Sequence, residues 1–194
     1  MQSNKKRTMT TKTMAYCALL AALSVVLARL VIPMPAADTR FSIEAVPIFL
    51  AGMLFGPLPG ALVGFTADFV GCLFSPFGYN PLFCVPPILY GLCAGLLRRF
   101  LCEKVSPVRI ALGFLPPVVL GSILYQSLTL SYMYFDGGLM AGFMYYLTAR
   151  SIQFSITLVL DVAVVYLLSK ANIFQRAGVW PAKKERKSSE HECQ

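Results

Sequence analysis

Arg29, Arg40 and Arg150 are the basic residues that stand apart from the chain's basic clusters, each next to or inside a long apolar segment. An arginine presents a planar fork of donors that suits a carboxylate or a phosphate. Grouped with them by the predicted layout are Tyr79, Asn80, Tyr125, Gln126, Tyr132, Tyr145, Tyr146 and Gln153. Their aromatic faces and amide groups suit a planar heterocycle. Each arginine alone could snorkel to lipid headgroups, and the tyrosines could form an interfacial belt. Taken together, they point to a small binder of an anionic, partly aromatic solute.

A fourth candidate lies in "LAGMLFGPLPGALVGFTADFVGCLF", residues 50–74, where Asp68 is set in an apolar, glycine-rich stretch. A carboxylate at the centre of a membrane helix costs roughly 2.5–3.5 kcal/mol on insertion scales, so it must face a partner or a wet cavity. For Asp68, ligand contact and structural pairing stand level. Asp161, deeper in the last apolar segment, is expected to pair structurally. Glu44, at the start of a segment, is expected to sit in water.

Other chemistries find little support. The six cysteines form no C-x-x-C pair, and the single histidine, His191, lies in a charged tail. Neither pattern offers a metal site or a nucleophile with its base. No G-x-x-x-x-G-K-[ST] phosphate loop occurs, so ATP hydrolysis is not expected of this chain. The net charge of +8 comes without a nucleic-acid reader motif, and reads as affinity for anionic lipid headgroups.

The elements that must position these residues are membrane helices. The chain is 57% hydrophobic and only 13% charged, against about 45–50% and about 25% in soluble domains. The apolar residues gather into Met14–Ile32, Ile43–Phe55, Leu58–Phe74, Pro81–Leu97, Ile110–Phe135 and Met140–Leu168. A straight span needs about 20 residues, so the second and third are short. Fourteen of the seventeen basic residues fall in the N-terminal tail, the fourth connection and the C-terminal tail. The positive-inside rule then puts all three in the cytoplasm. The predicted fold is an all-α membrane protein, a compact six-transmembrane-helix bundle with both termini cytoplasmic. Its parts are a basic tail (1–12), a membrane domain (13–170) and a polar tail (171–194). Arg29, Arg40 and Arg150 are the basic residues left in the outer half.

Lipid is as apolar as leucine, so membrane helices associate through small residues that admit close backbone approach. Ala18 and Ala22, four apart, make one such face, open to packing within the chain or to docking another protein. Gly56, Gly60 and Gly64 make a second, expected to pack internally, and "GPLPG" makes a tight hairpin between two helices. No solenoid repeat and no inverted repeat is apparent.

At this point the sequence resembles a known family. The run "PIFLAGMLFGPLPGALVGFTADFVGCLF", the following "YNP…ILYGLCAGLL" and the first-helix "ALLAALSVVLARL" are similar to the folate-family substrate-binding (S) components of energy-coupling factor (ECF) transporters. The resemblance implies a multi-pass protein of the bacterial plasma membrane that captures a vitamin, here folate, near the outer face. It implies a membrane coupling (T) subunit meeting Ala18 and Ala22, and two partner ATPases that use the ATP. Hydrolysis there would topple the S component and deliver the ligand inside. No cofactor is implied for this chain. Family members tend to read aromatic-Pro-Gly-Phe-Thr where this chain has "YNPLFCVPPILYG". A related pterin or a different vitamin therefore stays an alternative. So does a stand-alone carrier driven by an ion gradient, with Asp68 or Asp161 titrating. An intramembrane enzyme or assembly factor is the third class, without a catalytic constellation to support it.

Overall fold

Residues 46–54 are buried without interruption, a pattern that belongs to a helix surrounded on all sides. A computed structural model describes residues 11–29, 32–33, 40–41, 43–74, 80–103, 106–134 and 139–171. The buried helix is α2 (Ala45–Phe55), and it is preceded by α1 (Thr11–Arg29). Between them, β1 (Ile32–Pro33) and β2 (Arg40–Phe41) pair antiparallel, Ile32 against Phe41 and Pro33 against Arg40. This short ribbon is an addition to the all-helical expectation. After α2 come α3 (Pro57–Leu73), a 3-10 turn at Pro81–Cys84 running into α4 (Val85–Leu96), and the short α5 (Arg98–Glu103). Then α6 (Pro107–Pro117) passes through a π-helical stretch, Val118–Tyr125, into α7 (Gln126–Tyr134), and α8 (Leu139–Lys170) ends the described chain.

By length and composition, Thr11–Arg29, Pro107–Met133 and Leu139–Lys170 are able to cross a membrane, while Ala45–Phe55, Pro57–Leu73 and Pro81–Leu96 are shorter apolar helices. The long α8 shows what solvent the bundle is built for. Its buried residues are Gly142, Thr157, Asp161, Val165 and Ser169, whereas Ile152, Val159 and Leu167 are among its most exposed. Polar groups turn inward and apolar ones outward, as lipid demands.

The hairpin of α2 and α3 turns on one residue. Gly56, at φ 111°, takes a conformation that side chains rarely adopt, and Pro57 then starts α3 where no N–H donor is needed. Further along, a Cβ on Gly64 would collide with the Pro87 backbone, and Gly60 and Gly91 face each other equally closely. The glycine row of α3 is thus the crossing point with α4, as its spacing predicts. Under this crossing, Phe49 stacks on Phe114 with centroids 3.8 Å apart, and the Tyr90 hydroxyl hydrogen-bonds with Ser122 at 3.0 Å. The π stretch follows Pro116 and Pro117 directly. Two missing N–H donors disturb the regular ladder, and a widened turn re-satisfies the freed carbonyls. The apolar run Ile110–Phe135 predicts one continuous span there.

Candidate functional site

The end of α1, the start of α2, the second half of α3 and the start of α4 enclose a cavity of about 280 Å³. Ser24, Ala28 and Arg29 line it from α1, and Glu44 and Ile48 from the entrance to α2. Ala67, Asp68, Gly71 and Cys72 contribute from α3, and Pro87 from α4. Helical spacing accounts for the set: 24 and 28 share a face of α1, as do 68 and 72 of α3.

Two hydrogen bonds hold the walls in register. The buried Ser24 hydroxyl donates to the Glu44 carbonyl at 2.8 Å, fixing α1 against the start of α2. Arg29 Nη2 donates to the Gly71 carbonyl at 2.7 Å. Gly71 lies in the last turn of α3, where carbonyls lose their intrahelical partners and the helix dipole is negative, so a guanidinium caps it well. Arg29 therefore both borders the cavity and braces α3.

Asp68 is half-buried, and its Oδ2 is buried without a hydrogen-bond partner. The Cys84 thiol hydrogen-bonds to the same carboxyl group. Asn80 stands beside this wall: its backbone amide hydrogen-bonds to Cys72. Its Oδ1 accepts from the Leu82 amide at 3.1 Å, capping the 3-10 turn. Its Nδ2 donates to Met133 Sδ at 3.2 Å, so Asn80 also ties the start of α4 to α7.

The structure thus brings Arg29 and Asp68 to one cavity, with Asn80 adjoining it. Arg150 and Gln153 lie elsewhere, on α8, where the Arg150 guanidinium is 5.9 Å from the Phe154 ring centre. Tyr79 and the side chain of Arg40 lie outside the described residues. Tyr132 and Tyr145 are strongly exposed, and Tyr145 meets Tyr146 edge-on. Among the described residues no aromatic side chain lines the cavity. Ala18 and Ala22 are both exposed on α1.

Glu44 and Ser24 are the lining residues with side-chain oxygens that sequence reasoning missed. Glu44 reads as a wet helix start until α1 and α3 are placed beside it. Ser24 carries a weak signal, a hydroxyl four residues before Ala28 on the buried face of an apolar helix. Asp161, expected to pair structurally, is 2% exposed, and its Oδ1 has no hydrogen-bond partner. Cys17, Cys72, Cys84, Cys93 and Cys102 remain thiols, and no group of three or more potential metal ligands occurs among the described residues.

A profile of the family described as "ECF transporter, substrate-specific component" matches residues 12–169. The chain belongs to this family. It is accordingly a multi-pass membrane component of a transport system that recognises substrate, not an enzyme family member. Over 101 residues this S component is 31% identical to the folate transporter FolT of Clostridium novyi (strain NT), covering 52% of the chain and 57% of FolT. Over 62 residues it is 36% identical to an uncharacterized MG098 homolog of Mycoplasma pneumoniae, covering 32% of the chain and 13% of that protein. The matches therefore span less than two thirds of either relative. A crystal structure of FolT bound with folic acid superposes with a TM-score of 0.69 at 30% identity, covering 84% of this chain and 95% of that one. The S-component for biotin from an ECF-type ABC transporter superposes with a TM-score of 0.57 at 20% identity, covering 88% and 95%. This second likeness concerns the fold.

Proposed function

We propose that this S component captures folate at the outer membrane face for an ECF-type importer. Supporting this is one observation above all: the likeness to FolT bound with folic acid over nearly the whole of that chain. In this reading the helices make six spans, with tails 1–12 and 171–194 in the bacterial cytoplasm flanking the membrane domain 13–170. Arg29, Asp68 and Asn80 serve the ligand from the cavity and its border. Arg40 and Tyr79 serve it from adjoining segments, and Arg150 and Gln153, on α8 outside the cavity lining, contribute the least. A membrane coupling subunit docks on the exposed Ala18 and Ala22. Two partner ATPases use the ATP and topple the S component, carrying the ligand inward. No cofactor acts in this chain.

The test is to purify the protein from cells, identify any co-purifying small molecule by mass spectrometry, and titrate the emptied protein with folate and with biotin. Folate in the preparation and folate-selective binding are expected. Binding of biotin but not folate would assign another vitamin. A second reading, a stand-alone ion-coupled carrier, draws support from Asp161, a carboxyl in the bundle interior with an oxygen lacking a partner.

A further inference from the structure

The connection between α4 and α6 carries arginines that the cavity does not use. Helix α5 is only one and a half turns long, yet it is firmly seated. Leu101 is 1% exposed, and its side chain fills the space that Gly113 leaves open beside Phe49. The Cys102 thiol meets the Met53 carbonyl at 3.7 Å, a second tie to the bundle. Arg99, two residues before Leu101, falls on the opposite side of the helix and is exposed. From the first turn of α6, Arg109 leans back onto α5. Its guanidinium carbon lies 4.8 Å from the centre of the Phe100 ring, and its Nη1 donates to the Phe100 carbonyl at 3.1 Å. Stacking and hydrogen bond together hold the fork in one orientation. An arginine held this way loses little freedom when it meets an anion.

The same end of the bundle is also apolar. Leu96 ends α4 and Val108 begins α6, and they are 66% and 64% exposed. Leu112 continues the Val108 face one turn along α6 and is exposed as well. Charge at the helix ends and apolar surface along the shafts is the order of a phospholipid, head then chains. We infer that α5 and the start of α6 bind an anionic phospholipid, with Arg99 and Arg109 clamping its phosphate and its chains lying on Leu96, Val108 and Leu112. An arginine fork meets phosphate oxygens in pairs. The proposed layout puts this connection at the cytoplasmic leaflet, where anionic lipids gather. An acidic protein segment would match the arginines but leave the apolar surface uncovered. The site shares no residue with the cavity lining, so it is independent of which vitamin the cavity takes.

The test is native mass spectrometry of the purified full chain in detergent micelles. It is titrated with phosphatidylglycerol and with phosphatidylcholine, whose ammonium offsets the same phosphate. Wild type is expected to hold one phosphatidylglycerol roughly 10- to 100-fold more tightly, the worth of one charge-assisted hydrogen bond. Arg99→Gln with Arg109→Gln is expected to bring the two lipids within about threefold, and Arg99→Gln alone, on an exposed residue, to lose part of the preference. Arg99→Lys with Arg109→Lys keeps the charge but loses the fork, and is expected to recover only part. Lys183→Gln with Lys184→Gln, an equal loss of charge in the C-terminal tail, is expected to leave the preference unchanged. Glycerol 3-phosphate, a headgroup without chains, is expected not to compete. Equal affinities in wild type, an unaltered preference in Arg99→Gln, full recovery by lysine, an equal loss in the tail variant or competition by the bare headgroup each overturns the inference. Loss of assembly with the coupling subunit in the glutamine variant, without any lipid preference in wild type, overturns it and assigns the arginines to a protein partner.

Discussion

Helices α3 and α4 touch through their backbones, whereas α8 meets the bundle through side chains, with Thr157, Asp161, Val165 and Ser169 buried. In the first region Gly60, Gly64 and Gly91 remove side chains so that two short helices lie against each other. In the second, a 32-residue helix buries its polar and small residues, packs Phe154, Leu158 and Val162 half-buried against the core, and leaves Ile152, Val159 and Leu167 exposed. Both arrangements answer the same constraint, that hydrophobicity cannot drive helices together in a bilayer. The difference is in what each leaves behind. Close backbone packing leaves no space in the first region, and the cavity opens beyond Gly64, at Asp68 and Gly71.

The sharpest way to break this comparison is to put a side chain into the backbone contact. Gly64→Leu is expected to lower stability by about 3 kcal/mol or more, because the neighbour it strikes is the Pro87 main chain and cannot rotate away. Gly71→Ala is the control, since its added Cβ meets nothing within 4 Å. It is expected to leave stability unchanged or raise it by up to about 1 kcal/mol. Thermal unfolding in detergent measures both, and equal losses would erase the distinction between the two glycines.

Next in size is a separation of two functions. Ala18→Trp or Ala22→Trp adds bulk to an exposed face outside the cavity lining. Folate binding is expected to persist while uptake by the complete transporter is lost. Lost binding with an intact complex would place the docking face elsewhere.

The two halves are then compared through their arginines. Arg29→Ala is expected to weaken folate roughly 10- to 100-fold, the range for one charge-assisted hydrogen bond, with Arg29→Lys recovering part. Arg150→Ala, outside the cavity lining, is expected to change affinity less than about threefold, well under the loss of one such bond. The reverse order, read by the same titration, would move the ligand's charged end to α8.

The smallest expected effect concerns the core beneath the site. Tyr90→Phe removes the hydrogen bond to Ser122 and is expected to cost about 0.5–1.5 kcal/mol, with folate affinity unchanged.

Much of this architecture was legible because lipid imposes simple rules. Long apolar runs, the glycine row and the Gly56 turn each announce a local structure that depends on few neighbours. The β1–β2 ribbon, at two residues per strand, is too short to carry a period. The π stretch after Pro116 and Pro117 depends on how freed carbonyls are re-satisfied, which a hydropathy pattern does not encode. In the site, Arg29 and Asp68 stood out as charges in apolar surroundings. Glu44 and Ser24 did not, because their position depends on the register among α1, α2 and α3. Arg150 looked equivalent to Arg29 in sequence, and only the packing of α8 separates them.

The central claim, capture by this chain and energy from another, is tested most directly by radiolabelled folate uptake into liposomes. Vesicles holding this chain alone are compared with vesicles that also hold the coupling subunit and both ATPases. The account predicts bound but unconcentrated folate in the first, with or without an ion gradient, and ATP-dependent accumulation only in the second. Accumulation by the chain alone under a proton or sodium gradient would contradict it and make Asp161 the first residue to examine.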